Sequence, residues 1–157
     1  HRAPPRYRSV QLGLAYHWHR RKLVQPHERP QVADLPSVNA LEIEVFKDIS
    51  QSSADSPVFM LNLNKYRVEA HYPDGQLYRD YMAVLDALLS QVGGEILWRT
   101  KVLGHVVGNR DIDEALGLWY PSHQAFLNLM SAPASGGNMR LRALAVERTD
   151  LHRCQAY

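Results

Sequence analysis

Residues 57–67, PVFMLNLNKYR, constrain the fold more than any other stretch of this chain. Read as a strand, they put Val58, Met60, Asn62, Asn64 and Tyr66 on one face. Phe59, Leu61, Leu63 and Lys65 take the other, because successive strand side chains alternate. The apolar residues suit a core, yet three polar groups stand among them. A buried asparagine must place two donors and an acceptor. Asn62 is therefore either locked to neighbouring protein groups, the commoner fate of buried polar atoms, or open to a ligand.

Beyond this strand the pattern is regular. After the turn YPDG, the segment QLYRDYMAVLDALLSQV has an apolar stripe of Tyr78, Tyr81, Leu85, Leu88 and Val92 at helical spacing. Gly93-Gly94 ends that helix. EILWRTKVLGHVVG then predicts a long strand, bent at Gly104, and NRDID a turn before the strand EALGLWY. Ser122 stands where an N-cap belongs, ahead of a short helix HQAFLNLM. SAPASGG reads as a loop and RLRALAVERT as the last strand. Strand, helix, strand, strand, helix, strand predicts an α+β fold, a ferredoxin-like βαββαβ unit with an antiparallel sheet of about one hundred residues.

The chain therefore divides into residues 1–56, an N-terminal arm, and 57–157, the folded domain. Within 1–29, seven basic side chains oppose the single acid Glu28, whereas the remaining residues carry 11 basic and 15 acidic ones. Such an arm is either a solvated tail or a segment that meets an anionic surface, through residues 1–50 a protein partner or a membrane. VQLGLAYHWHRRKL within it predicts a short helix of interfacial character. NALEIEVFKDI, alternating Leu41, Ile43 and Val45 with Glu42 and Glu44, reads as an edge strand, with a helix as the alternative. The chain begins with His1 rather than Met, which leaves room for a preceding signal peptide, anchor or tag.

Several classes are excluded. The single Cys154 rules out an internal disulfide framework and a cysteine zinc site. No apolar run reaches the roughly 18 to 20 residues of a membrane-spanning helix. Phosphate-loop, dinucleotide and nucleophile-elbow motifs are absent, and no paired-histidine zinc motif occurs. No metal is expected, since His17, His19 and His27 in the arm are weak evidence for a site. The arm's aromatics carry no RNA-binding signature, so nucleic acid is not an expected partner.

The segments PVFMLNLNKYR, YPDGQLYRDY, VGGEILWRTKV, LWYPSHQAF and MRLRALA, in this order and spacing, resemble the dimeric α+β barrel superfamily. Within it they are similar to an uncharacterised branch related to YciI-like and NIPSNAP-like proteins. The resemblance covers residues 57–153 and departs after the second helix, where relatives carry a Ser-Pro-hydrophobic-Tyr run and this chain has SAPASGG. It implies a homodimer that pairs sheet against sheet, and a small apolar or aromatic ligand held between sheet and helices. Relatives include cofactor-free monooxygenases and isomerases, which makes those the activities to expect, while the branch itself has no agreed reaction. A non-catalytic scaffold or accessory subunit, docked through the basic arm, is the alternative. The bacterial cytoplasm is the expected compartment, or a membrane surface if the arm binds one. No cofactor is expected; haem, carried by some relatives, would take His105 as its axial ligand.

Five residues stand out as ligand-binding candidates, and no catalytic residue is singled out. Asn62 and Tyr81 form either a structural hydrogen-bonded pair or two polar contacts in one cavity. Trp98, on a strand, fills an interface or lines a pocket. His105, also placed on a strand, is a base or ligand if its ring nitrogens are not satisfied locally. Arg140 matches an arginine common at its position in the family and would bind an anion. Lys65 reads as a solvated rim residue or as a cation at the pocket mouth.

Overall fold

The computed structural model of the chain describes residues 38–155. The expected interfacial helix and the three arm histidines lie outside these residues. The elements are α1 (Ala40–Ser50), β1 (Val58–Tyr66), α2 (Gln76–Gln91), β2 (Glu95–Lys101), β3 (Glu114–Tyr120), α3 (His123–Leu127), α4 (Ser135–Ala145) and β4 (Val146–Gln155). The four strands form one sheet in the order β2-β3-β1-β4, with each neighbouring pair antiparallel. The central strands β1 and β3 are not consecutive in the chain, β2 pairing with β3 at one edge and β4 with β1 at the other, which is the ferredoxin-like α+β arrangement.

β1 is central because both its edges are paired and its burial alternates strictly. Val58, Met60, Asn62, Asn64 and Tyr66 are buried and the intervening residues only partly so. The buried face looks toward the helices, where Tyr81, Leu85 and Leu89 of α2 and Leu116, Leu118 and Tyr120 of β3 complete the core. α2 stops through two hydrogen bonds of the Schellman type: Gly94 N–H donates to Leu89 O at 2.9 Å and Gly93 N–H to Ser90 O at 3.2 Å. Gly93 has φ of 75°, which is why glycine stands there. The expected N-cap of α3 is present, Ser122 Oγ accepting from Ala125 N at 3.0 Å.

Three expectations give way. NALEIEVFKDI is the helix α1, not an edge strand, capped by Asn39, whose side chain accepts from Glu42 N. Leu41, which suggested a buried strand face, is 81% exposed, and the residue that enters the core is Phe46, packed on His123 and Phe126. β2 ends at Lys101 instead of running on through Gly104. Residues 102–113 are a loop containing Gly108 at φ 93°, so His105 is an exposed loop residue and not a strand residue. Finally, the last three residues of SAPASGG and the start of RLRALAVERT form α4, and the last strand begins at Val146. Met139 to Ala145 are strong helix formers, and Gly136 and Gly137 fall in the first turn, where the helix N–H groups lack internal partners in any case. α4 packs against α2 on the same side of the sheet.

The opposite sheet face carries Phe59, Leu61 and Leu63 of β1, Trp119 of β3 and Trp98 of β2, which is 43% exposed. Trp98 lies over Gly117, where a Cβ would come within 2.5 Å of its ring; glycine lets the indole lie flat on the sheet. Among the described residues nothing covers this face.

Candidate functional site

Register decides which polar groups meet on the inner face. Asn64 lies opposite Glu114 of β3 and Thr149 of β4, while Asn62 lies opposite Leu116 and Leu151. A row of polar side chains therefore crosses the sheet. Thr149 Oγ1 is 2.6 Å from Oδ1 of Asn62 and 2.6 Å from Oδ1 of Asn64. Asn64 Nδ2 donates to the Tyr66 hydroxyl at 3.2 Å, and that hydroxyl donates to Glu114 Oε2 at 2.6 Å. The Tyr78 hydroxyl of α2 donates to Glu114 Oε1 at 2.8 Å and accepts from Arg99 at 3.2 Å. Glu114 is 2% exposed, and two phenol donors satisfy it in place of a salt bridge.

These phenols are protected from ionising. Burial, and then the neighbouring Glu114 charge, push Tyr66 far above the ordinary phenol range. Burial and a hydrogen bond to Glu114 do the same to Tyr78. Tyr72, stacked on Tyr66 at 4.8 Å, is pushed up to about 12 by burial and the same carboxylate. Burial also raises Tyr81, against the opposing charge and hydrogen bond of the Arg142 guanidinium.

At its other end the row opens on a cavity of about 190 Å³ between the sheet and α2, α3 and α4. Asn62, Tyr81, Tyr120, Ser135, Asn138, Arg142 and Thr149 supply its polar groups; leucines, Phe126 and two methionines, Met130 and Met139, supply its apolar wall. A cavity of about 150 Å³ accommodates benzene, so this one admits a ring with one or two substituents. A second cavity of about 510 Å³, along the groove between α1 and β4, shares Phe126, Arg142, Thr149 and Leu151 with the first. Arg142 thus stands where the outer groove meets the inner cavity, with Arg148 and Arg153 further out. A larger cavity of about 700 Å³ lies by the α1–β1 connection. Its buried His123 is already engaged, Nδ1 lying 3.1 Å from Asp55, so the inner cavity holds the better convergence of free polar groups.

One group in the inner cavity's wall has no protein partner. Asn138, 5% exposed, has its Nδ2 buried and unbonded among the described residues. Arg142 likewise has no carboxylate partner among them, unlike Lys65, which Asp111 and Asp113 hold at 2.8 and 3.0 Å. Those two carboxylates also raise Lys65 above its usual value.

Of the five candidates from sequence, the structure brings Asn62 and Tyr81 into one cavity. They are not bonded to each other; Thr149 is the partner of Asn62. Trp98 lies on the far sheet face, His105 on the exposed loop, and Arg140 on the exposed side of α4. His105 lines none of the three cavities and so offers no axial ligand for haem within one. Sequence reasoning missed Thr149, Asn138, Arg142 and Glu114. The signal for Arg142 was available: once RLRALA is read as a helix, Arg140 and Arg142 point to different sides.

No protein-family model matches the chain, and no curated protein matches it by sequence. Among solved structures it is similar to a protein of unknown function from Rhodopseudomonas palustris. The two are 24% identical with a TM-score of 0.62, over 77% of this chain and 95% of that one. The methylated form of that protein matches at 24% identity and a TM-score of 0.63, over 80% and 96% of the two chains. A dabb family protein with a ferredoxin-like fold from Mesorhizobium loti matches at 10% identity and a TM-score of 0.48, over 65% of this chain and 98% of that one. The shared architecture with the Rhodopseudomonas protein agrees with the strand order described above: this chain has the ferredoxin-like α+β fold.

Proposed function

We propose that this protein binds a small apolar molecule carrying an anionic or strongly polarised oxygen, held in the cavity between the sheet and α2, α3 and α4. The observation that carries the reading is the convergence of Asn62, Tyr81, Asn138 and Arg142 on one apolar cavity, with Asn138 Nδ2 left unbonded. A buried donor without a partner costs about 1–3 kcal/mol, and a ligand oxygen that accepts from it removes that cost. Few polar groups in a mostly apolar concavity are the usual make-up of a small-molecule site. If chemistry follows binding, it is cofactor-free oxygenation or isomerisation of a substrate that stabilises its own carbanion. Arg142 and the Tyr81 hydroxyl then face the developing oxyanion, and the leucine wall excludes water.

Native mass spectrometry of gently isolated protein tests this. The expected result is a reproducible small excess mass on the wild type that is absent from Leu88→Phe, which fills the cavity. Bare protein in both, or an excess unaffected by the substitution, overturns the reading. A second copy of the chain is the proposed cover for the open sheet face, since Phe59, Leu61, Trp98 and Trp119 form an apolar surface there. Wild-type protein should then have a dimer mass and Leu61→Lys a monomer mass.

A further inference from the structure

The geometry points to a ligand that carries a hydrogen-bond donor as well as an oxyanion, the donor being read by the side-chain carbonyl of Asn62. This rests on the binding reading above and narrows it to an apolar frame bearing a hydroxyl and a carboxylate.

A count of protons leads there. Thr149 Oγ1 has one proton, yet it lies 2.6 Å from the side-chain oxygens of both Asn62 and Asn64. Two oxygens at that distance need a proton between them, so a single hydroxyl cannot serve both contacts. The orientation of Asn64 is settled from its other side. Tyr66 gives its proton to Glu114 at 2.6 Å, so the Tyr66 oxygen accepts from Asn64, and Nδ2 of Asn64 must face it. Asn64 Oδ1 then takes the Thr149 proton. The contact between Thr149 and Asn62 has to run the other way, with Asn62 Nδ2 donating to Thr149 Oγ1. The two ends of an amide are told apart by their bonding, so this assignment follows from the network.

Every bond in the row now points toward Glu114: Asn62 to Thr149, Thr149 to Asn64, Asn64 to Tyr66, Tyr66 to the carboxylate. An ionised acceptor at the end polarises such a chain and strengthens it. The consequence lies at the open end. The remaining atom of the Asn62 amide is its carbonyl oxygen, and of the three cavities Asn62 lines only the inner one. The sheet wall therefore presents an acceptor. The helix wall contributes the guanidinium of Arg142 and, beside it, Asn138, whose buried Nδ2 has no protein partner among the described residues. A carboxylate alone satisfies the helix wall and leaves Asn62 unanswered; a hydroxy acid satisfies both.

Hydroxybenzoates are suitable probes, because the ring matches the cavity's size and a meta or para hydroxyl cannot fold back onto its own carboxylate. Affinities of 3- and 4-hydroxybenzoate, benzoate and the matching methoxybenzoates are measured by calorimetry on the full chain. At least one hydroxybenzoate should bind about tenfold more tightly than benzoate, the effect of one neutral hydrogen bond. Its methyl ether should lose that advantage, and Asn62→Leu should bring the hydroxybenzoate-to-benzoate ratio to about one. Equal binding of benzoate and both hydroxybenzoates to the wild type overturns the inference and leaves the binding reading standing. Failure of every benzoate to bind overturns both. The wild-type ratio decides even if Asn62→Leu does not fold.

Discussion

Replacing Asn138 by leucine should stabilise the ligand-free protein, against the usual rule for buried positions. Asn138 is 5% exposed on α4, and its Nδ2 has no partner among the described residues. An amide left unbonded in a dry environment costs about 1–3 kcal/mol relative to one that is satisfied. Leucine has nearly the same volume, carries no group to satisfy, and has the better helix propensity by a few tenths of a kcal/mol. Part of the gain offsets whatever bond the asparagine carbonyl makes, so the net expectation is about 1–2 kcal/mol. For a chain of this size that raises the melting temperature by roughly 2–8 °C, at about 2–4 °C per kcal/mol. Urea unfolding is the assay: the midpoint should rise with the slope unchanged, as it does when stability alone has moved. The same variant should lose the native excess mass. A destabilised Asn138→Leu would refute the reasoning, because it would mean that the amide is satisfied in solution and that the cavity wall lacks the free donor on which the binding proposal rests.

The network and its surroundings carry further expectations. Tyr66→Phe removes the proton held by Glu114 and the acceptor of Asn64 Nδ2 together, and should cost about 2–4 kcal/mol in urea unfolding. A loss under about 1 kcal/mol would show that the carboxylate finds another donor. Asp55→Ala should cost about 1–2 kcal/mol at neutral pH, since Asp55 accepts from His123 N at 2.7 Å at the start of α3. Burial raises Asp55, but the bonds from His123 and Gln124 outweigh it and set its pKa below 3.8. Its contribution is thus present above that value and lost as pH falls through the folded-state pKa, so mutant and wild type should converge in stability under acid. At alkaline pH the raised phenols act in the opposite sense. Their contribution is complete below the ordinary value of 10.0 and declines as pH climbs toward and past the value of about 12 reached by Tyr72. Phenolate absorbance of Tyr66, Tyr78 and Tyr81 should therefore appear together with loss of far-ultraviolet dichroism; ionisation in a protein that stays folded would contradict their burial.

The inner face of β1 could be read from sequence because a period of two needs nothing beyond the strand itself. The helix α2 was equally plain, since its stripe is long and two glycines end it. The errors fall where a short segment fits both periods. Residues 41–45 alternate apolar and acidic as an edge strand does, but the same residues are good helix formers, and Asn39 supplies the cap that tips the balance. In MRLRALAVER the helix gives way to strand at Ala145–Val146, with no glycine or proline to mark the change. That boundary controlled the site. Thr149 enters it through cross-strand register, and Asn138 and Arg142 enter it only if their segment is helical, so three of its polar groups depended on information that local pattern does not contain. Glu114 was overlooked for another reason: an acid at the start of a strand normally faces solvent, and only the register with Asn64 brings it under Tyr66 and Tyr78.

The polar row is not explained by stability. Apolar residues of similar shape could replace a buried hydrogen-bonded pair at little cost, sometimes with a gain. What the row provides is direction. From Asn62 to Glu114 each group's orientation is fixed by the next, and the last is a carboxylate that no cation neutralises among the described residues. The satisfied part of the row (Glu114, Tyr66, Asn64 and Thr149) holds Asn62 in one orientation, and across from it on α4 Asn138, a residue of the cavity wall, has its Nδ2 without a partner among the described residues. The two should therefore answer substitution with opposite signs. Removing a satisfied member, as in Tyr66→Phe or Thr149→Val, should lower stability and blur the discrimination between hydroxybenzoate and benzoate, because Asn62 is then free to turn. Removing Asn138, whose Nδ2 has no partner among the described residues, should raise stability and abolish binding, whereas Asn62→Leu should level the discrimination and leave benzoate binding in place. If Thr149→Val left the discrimination intact, the orientation of Asn62 would have to be set by something other than the row, and the link between the buried Glu114 and the cavity would be broken.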